Sequence, residues 1–330
     1  MKKLLTLTVA ITLICGQMLS GSRVVAQGQT LNVVATFSIL ADLVANVGGD
    51  AVEVDALVPA NADAHSFEPS PEQVASLTGA AIIFENGVGF ESWLEGMVDA
   101  ANPDAPVADV SEGIELRSAA EHHDEEDGHE ADEDHGDEEA GHQENDEDGH
   151  DHGDFDPHIW QSVPNAIVIV DNIKTALISA DPDNEAVYES NSASYIAELE
   201  ELDSWIIEQV ATLAEDRRKL VTSHDTFGYF ADQYGFEVIG TPLGVSTETS
   251  EPSARDIAAL IELIADAGVS AVFSENVQND SLIEQIANDA GVTLAPPLFT
   301  DALGDEESGA SSYIGMMRFN TDTIVEALSG

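Results

Sequence analysis

Residues 181–213 read DPDNEAVYESNSASYIAELEELDSWIIEQVATL. Within them Tyr188, Tyr195, Leu199, Leu202, Ile206, Val210 and Leu213 recur at spacings of three, four or seven, which lines one face of an α-helix. Asp181 offers an N-cap acceptor, and Pro182 suits the first helical position. Arg217, Arg218 and Lys219 follow, where cations favour the carbonyl end of a helix. About 30 residues at roughly 1.5 Å each give a rod of about 45 Å. Such a rod acts as a strut between folded units, not as a flexible hinge. A shorter helix, 165–179, precedes it.

On either side the chain alternates short β-branched runs with helical patterns. Before the rod, 31–35, 52–58 and 80–84 read as strands, and 37–47, 71–77 and 91–100 as helices. After it, 219–223, 236–239, 270–273 and 292–298 read as strands, and 227–234 and 254–267 as helices. Alternation of this kind predicts α/β units on parallel sheets. Two tripeptides recur in the same order. Glu68-Pro69-Ser70 and Glu251-Pro252-Ser253 each precede a helix. Phe84-Glu85-Asn86 and Ser274-Glu275-Asn276 each end a strand. The two halves therefore read as lobes built on one plan. The division predicted is 27–180, an N-terminal lobe; 181–215, the linking helix; and 216–330, a C-terminal lobe.

A chain of 330 residues exceeds one comfortable core, and its 43% apolar share is that of a globular protein. Ten Lys and Arg against 64 Asp and Glu exclude nucleic acid, whose phosphates demand cations, and docking on anionic lipid. Lys2 and Lys3, then the apolar stretch 4–19, then Val24-Val25-Ala26, form an export signal with a small-residue cleavage site. The only cysteine, Cys15, falls inside this signal. Ile14 before it is not the small residue that lipid attachment wants. Cleavage after Ala26, giving an exported monomer without disulfides, is the expectation, with a lipid anchor on Cys15 the alternative.

Seven of the ten histidines lie in 121–152, an acidic, glycine-containing tract. Residues 121–156 hold 19 acids and no Lys or Arg, which reads as a charge-repelling disordered loop. Its imidazoles suit weak gathering of metal. The other three histidines are isolated: His65 beyond a strand, His158 after Asp156-Pro157, and His224 at a strand end. Ligands of open α/β sheets bind at the carboxyl ends of strands. Imidazole is the commonest metal-ligating side chain, so the three points are read as converging ligands. Asp301, beyond the apolar run 292–298, is the carboxylate proposed as fourth. Three imidazoles and one carboxylate suit Zn2+; Ca2+ or Mg2+ would want oxygen throughout. No His-Glu-x-x-His helix or nucleophile elbow is present, so catalysis, for example by a secreted zinc hydrolase, is the weaker reading.

These residues resemble the zinc-type (ZnuA-like) solute-binding proteins of the metal-ion ABC importers. Four segments carry the likeness: 65–71 (HSFEPSP), 86–94 (NGVGFESWL), 156–160 (DPHIW) and 222–230 (TSHDTFGYF). The segment 300–304 (TDALG) is a looser fifth. The resemblance implies two α/β lobes joined by one long helix, with a metal in the cleft held by His65, His158, His224 and Asp301. It also implies a permease and an ATPase as partners. Manganese-type relatives carry glutamate where His224 stands, so it favours zinc, with manganese as the alternative. A histidine-rich loop before the second ligand is typical of zinc members. There are two departures: Ala64 stands where the family usually has proline, and no cysteine pair is present.

Overall fold

The computed structural model describes residues 30–101, 103–119, 155–245 and 252–330. The predicted export signal with Cys15, the tract 121–152 and Glu251 lie outside the described residues.

The first half forms a four-stranded parallel sheet. Strand β1 (Leu31–Phe37) is a nearly continuous apolar run and sits inside the sheet, as a strand covered on both faces must. Helix α1 (Ser38–Gly48) returns the chain antiparallel to it and buries Ile39, Leu40, Leu43, Val44 and Val47. The Gly48-Gly49 turn is tight: a Cβ on Gly48 would lie 2.1 Å from Val52 Cγ2, and Gly49 takes φ 53°. Strand β2 (Val52–Val58) then pairs beside β1, with Leu31 opposite Val52 and Phe37 opposite Val58. After α2 (Pro71–Ser76), strand β3 (Ile82–Glu85) crosses to the other side of β1. Helix α3 (Leu94–Ala101) leads to the edge strand β4 (Val107–Asp109), giving the order β2-β1-β3-β4. The direction of winding reverses between β1 and β3, so their carboxyl ends open a crevice.

Helix α4 (Val163–Ala180) is long and apolar enough, by length and composition, to cross a membrane. Here it is a core helix. Ala166, Ile169, Val170, Ile173 and Leu177 are buried, and it packs on α1 and on α5 (Glu185–Val210). The 26 residues of α5 span about 39 Å. Its start differs from the sequence expectation. Pro182 opens a one-turn 3-10 segment, Pro182–Asn184, so the α-helix begins only at Glu185. The Asp181 carboxylate accepts from the side chains of Asn184 (2.6 Å) and Tyr188 (2.9 Å), and caps no backbone N–H of the helix.

The second half repeats the winding in two parallel ladders. Strand β5 (Lys219–Val221), α6 (Gly228–Tyr234) and β6 (Glu237–Gly240) form the first. Helix α7 (Ala254–Ala267) leads to β7 (Ala271–Glu275), α8 (Ser281–Ala290) and β8 (Thr293–Leu298), which form the second. Strands β5 and β7 touch, so β6, β5, β7 and β8 follow one another as β2, β1, β3 and β4 do. The repeated Pro-Ser dipeptides play one role. Ser70 and Gln73 close a capping box on α2, and Ser253 and Asp256 close another on α7.

The chain ends in α9 (Tyr313–Ser329), which packs against α5. Arg217, read from the sequence as a cation at the end of the rod, serves α9 instead: it donates to Leu328 O (3.1 Å) and Gly330 O (2.6 Å). Arg218 does donate to Leu213 O just past α5. One apolar cluster runs from β1 and α1 through α4 and α5 to α9, so the two halves share a core along these helices.

Candidate metal centre

Four side chains from four loops meet at the carboxyl ends of the strands. The β2–α2 loop carries His65. The segment before α4 carries His158. His224 lies three residues past β5, and Asp301 three residues past β8. His65, His158, His224 and Asp301 are all buried and offer ligand atoms within 4.8 Å of one another. His158 Nε2 lies 3.3 Å from the Nε2 of both His65 and His224. Asp301 Oδ2 is 3.6 Å from His65 Nε2 and 3.2 Å from His224 Nε2, and its Oδ1 is 3.6 Å from His158 Nε2. A tetrahedral ion with bonds of about 2.0–2.1 Å sets its ligand atoms roughly 3.3–3.4 Å apart.

The tautomers make the convergence informative. His158 Nδ1 donates to Asp156 Oδ1 at 2.7 Å, and His224 Nδ1 donates to Glu275 Oε2. In the neutral rings this leaves both Nε2 atoms as lone pairs aimed at one point. Both oxygens of Asp301 are buried without a hydrogen-bond partner. Lone pairs and a carboxylate facing each other in a dry site repel one another, and a cation is what satisfies them.

Without a metal, a proton partly fills that role. Burial alone would lower His224, but the carboxylates of Glu275 and Asp301 overcome it and hold the ring well above the ordinary imidazole range. His65 goes the other way, to about 4, because burial dominates and the attraction of Asp301 is too weak to offset it. Burial would raise Asp301, but His224, His158 and His65 together drive it below the usual carboxylate range.

Each loop is fixed by its neighbours. Asp63 Oδ1 accepts from the His65 backbone N–H at 2.9 Å, and Trp93 Nε1 donates to Ala64 O at 2.8 Å. These bonds order the His65 loop without the proline that Ala64 replaces. Asn86 Nδ2 donates to Pro157 O, and the Asn86 backbone N–H donates to buried Glu91. Trp160 Nε1 and Gln161 Nε2 both donate to Thr300 O, tying the His158 segment to the Asp301 segment. Phe37, Phe90 and Trp160 stack edge-on beside His65 and His158, which keeps water and its dielectric away.

Asp156 and Glu275 are the functional side chains that sequence reading passed over. In the sequence Asp156 figures only as the residue that opens the 156–160 segment, and Glu275 only as part of a repeat. Yet Glu275 also accepts from the His224 backbone N–H at 2.8 Å, so it fixes both the position and the tautomer of that ring. Losing such an outer partner costs about 10–100-fold in metal affinity. Glu275→Gln should therefore weaken binding of a divalent metal within that range, read by chelator competition, while circular dichroism of the metal-free protein stays unchanged.

The chain is similar to proteins named for binding metals, several of them components of ABC transporters. The periplasmic zinc binding protein TroA of Treponema pallidum superposes with TM-score 0.76 at 28% identity, covering 91% of this chain and 99% of that one. The manganese-binding lipoprotein MntA of Halalkalibacterium halodurans is 33% identical over 302 residues, 92% of this chain and 90% of its own. The iron ABC transporter substrate-binding lipoprotein MtsA of Streptococcus pyogenes is 30% identical over 313 residues, 92% of this chain and 91% of its own. The class is thus the metal-binding, substrate-binding component of an ABC transporter, and not an enzyme. Residues 33–327 match the family described as ZnuA, zinc-uptake complex component A, periplasmic, and the chain belongs to that family.

Proposed function

We propose that the protein captures Zn2+ outside the cytoplasmic membrane and delivers it to a permease driven by an ATPase. His65, His158, His224 and Asp301 hold the ion. The observation that carries this reading is that His158 Nε2 lies 3.3 Å from the other two Nε2 atoms and Asp301 lies 3.2–3.6 Å from all three, with the whole set inside 4.8 Å, which suits a four-coordinate zinc. The segments 27–180 and 216–330 act as the two lobes and 181–215 as the strut between them. The tract 121–152 gathers metal weakly and hands it to the four-residue site.

Manganese is the second reading. It is favoured by relatives named for manganese, such as MntA, and by the two unpartnered oxygens of Asp301, which suit bidentate binding to a larger, oxygen-preferring ion. An in-vitro contest alone does not separate the two, because a fixed nitrogen–oxygen site binds Zn2+ more tightly than Mn2+ in any case. The deciding measurement is elemental analysis of the mature protein taken from its own cells. One zinc per chain is expected; one manganese per chain would overturn zinc. His224→Glu should narrow the zinc-over-manganese affinity ratio by about tenfold or more, since it exchanges imidazole for carboxylate.

The lipoprotein relatives shift the balance at the N-terminus toward acylation of Cys15, against the misfit of Ile14. Cys15→Ser should then move the protein from the membrane fraction to the soluble one; an unchanged distribution would return the expectation to cleavage after Ala26.

A further inference from the structure

The repeated Glu-Asn dipeptide ends β3 as Glu85-Asn86 and β7 as Glu275-Asn276. Each asparagine grips a loop that carries one of the four converging side chains. Asn86 Nδ2 donates to Pro157 O at 2.9 Å, one residue before His158. Asn276 brackets Asp301: its Oδ1 accepts from the Thr300 backbone N–H at 3.2 Å, and its Nδ2 donates to Ala302 O at 3.2 Å.

Asn276 does something that Asn86 does not. Its Nδ2 also donates to Asn61 Oδ1 at 3.2 Å, in the loop that leads to His65. Asn61 takes φ 58°, a left-handed conformation that asparagine tolerates at some cost, so this side chain is set by its own strained backbone. The Asn61 backbone N–H donates to Leu303 O at 2.9 Å, and Gln278 Nε2 reaches Asp63 Oδ2 at 3.4 Å. Two loops far apart in sequence, one with His65 and one with Asp301, are thus stitched by the Asn276 amide and by the Asn61–Leu303 backbone bond, and Asn276 touches no ligand atom.

We propose that Asn276 is a positioning residue that latches the Asp301 loop to the His65 loop and so sets how long a metal ion stays bound. This rests on the four-residue site proposed above. The logic is kinetic. An ion leaves when one of the loops swings away, and the amide bonds must break first. If an ion enters while the loops are parted, capture is less affected than release.

The test is stopped-flow release of Zn2+ from the full-length protein to a chelating dye, with capture measured separately. Asn276→Ala should release zinc about 10–100-fold faster, the range for loss of an outer partner. Its capture rate should stay within about twofold, although the metal-free protein should melt lower because the buried Thr300 N–H and Ala302 carbonyl lose their partner. Asn61→Gly removes only the arm between the loops; glycine takes the left-handed backbone without strain. It should release zinc about threefold faster, as for one neutral hydrogen bond. Wild-type release from Asn276→Ala would overturn the latch. Faster release from Asn276→Ala with wild-type release from Asn61→Gly would overturn the arm between the loops. Equal losses in capture and release would make the residue merely structural and also overturn the proposal. If Asn276→Ala does not fold, Asn61→Gly decides alone. A wild type that takes up no zinc would sink the four-residue site itself, which is a different failure from a wild type that binds zinc and variants that release it no faster.

Discussion

His158→Ala should abolish tight zinc binding and, with it, the thermal stabilisation that zinc confers. His158 is the hub of the cluster: its Nε2 is the only one within 3.3 Å of both other imidazole nitrogens. Its removal costs more than the roughly 10–100-fold expected from losing an outer partner, because a coordinate bond itself is lost. At a free zinc level about 1,000-fold above the dissociation constant, binding adds about 4 kcal/mol to wild-type stability. At about 2–4 °C per kcal/mol for a chain of this size, that is a rise on the order of 10 °C. The variant should show almost none of it in scanning calorimetry with and without zinc. The metal-free forms should differ for another reason. The Asp156 carboxylate, which is fully buried, loses the Nδ1–H that it accepts, and a void opens beside Trp160. A variant that still gains the full wild-type rise with zinc would show that the ion sits elsewhere.

What the chain reveals before folding follows from how its signals are written. Strand β2 and helix α7 are legible to the residue, because each is an uninterrupted pattern closed by a capping serine or a glycine turn. Helix α9 was not read at all. Its buried face mixes Tyr313, Met316 and Met317 with Asn320 and Thr321, so the apolar period is broken. Those polar groups are in use: Asn320 bonds both the N–H and the carbonyl of Phe299, just before the Asp301 loop. Strand β4 is only three residues long and leaves no period to detect. The three histidines stood out because histidine is scarce outside the acidic tract. Asp301 stood out far less, being one of 64 acids, with only its place beyond an apolar run to single it out. Asp156 and Glu275 were harder still. A carboxylate that orients an imidazole has no spacing of its own; only the fold brings Glu275 from β7 to His224 beyond β5.

Acidification should weaken zinc binding by about tenfold per pH unit from neutrality downward, the slope of one displaced proton. The structure refines the expectation from free imidazole, which titrates near pH 6.5. His224 is held well above that value by Glu275 and Asp301 against the effect of burial, so the metal-free protein favours its protonated form on the acid side of neutrality. Zinc must displace that proton, and each added unit of acidity makes the displacement tenfold costlier. His65 is held down to about 4 by burial and adds no proton until the medium approaches that pH. The curve should therefore run with a slope of one or more to about pH 5, then steepen as His65 titrates. The contribution of His224 to metal-free stability moves the other way above the ordinary imidazole range, while below it the depressed His65 takes stability away as the medium acidifies. The raised value of His224 stabilises the fold fully below the ordinary imidazole range, and that contribution is lost as pH climbs through the raised value. Chelator competition between pH 7.5 and 5, paired with melting of the metal-free protein, reads both trends. Zinc affinity that is flat across this range would contradict histidine ligation. Metal-free stability that does not fall as pH rises above neutrality would contradict a protonated His224 between Glu275 and Asp301.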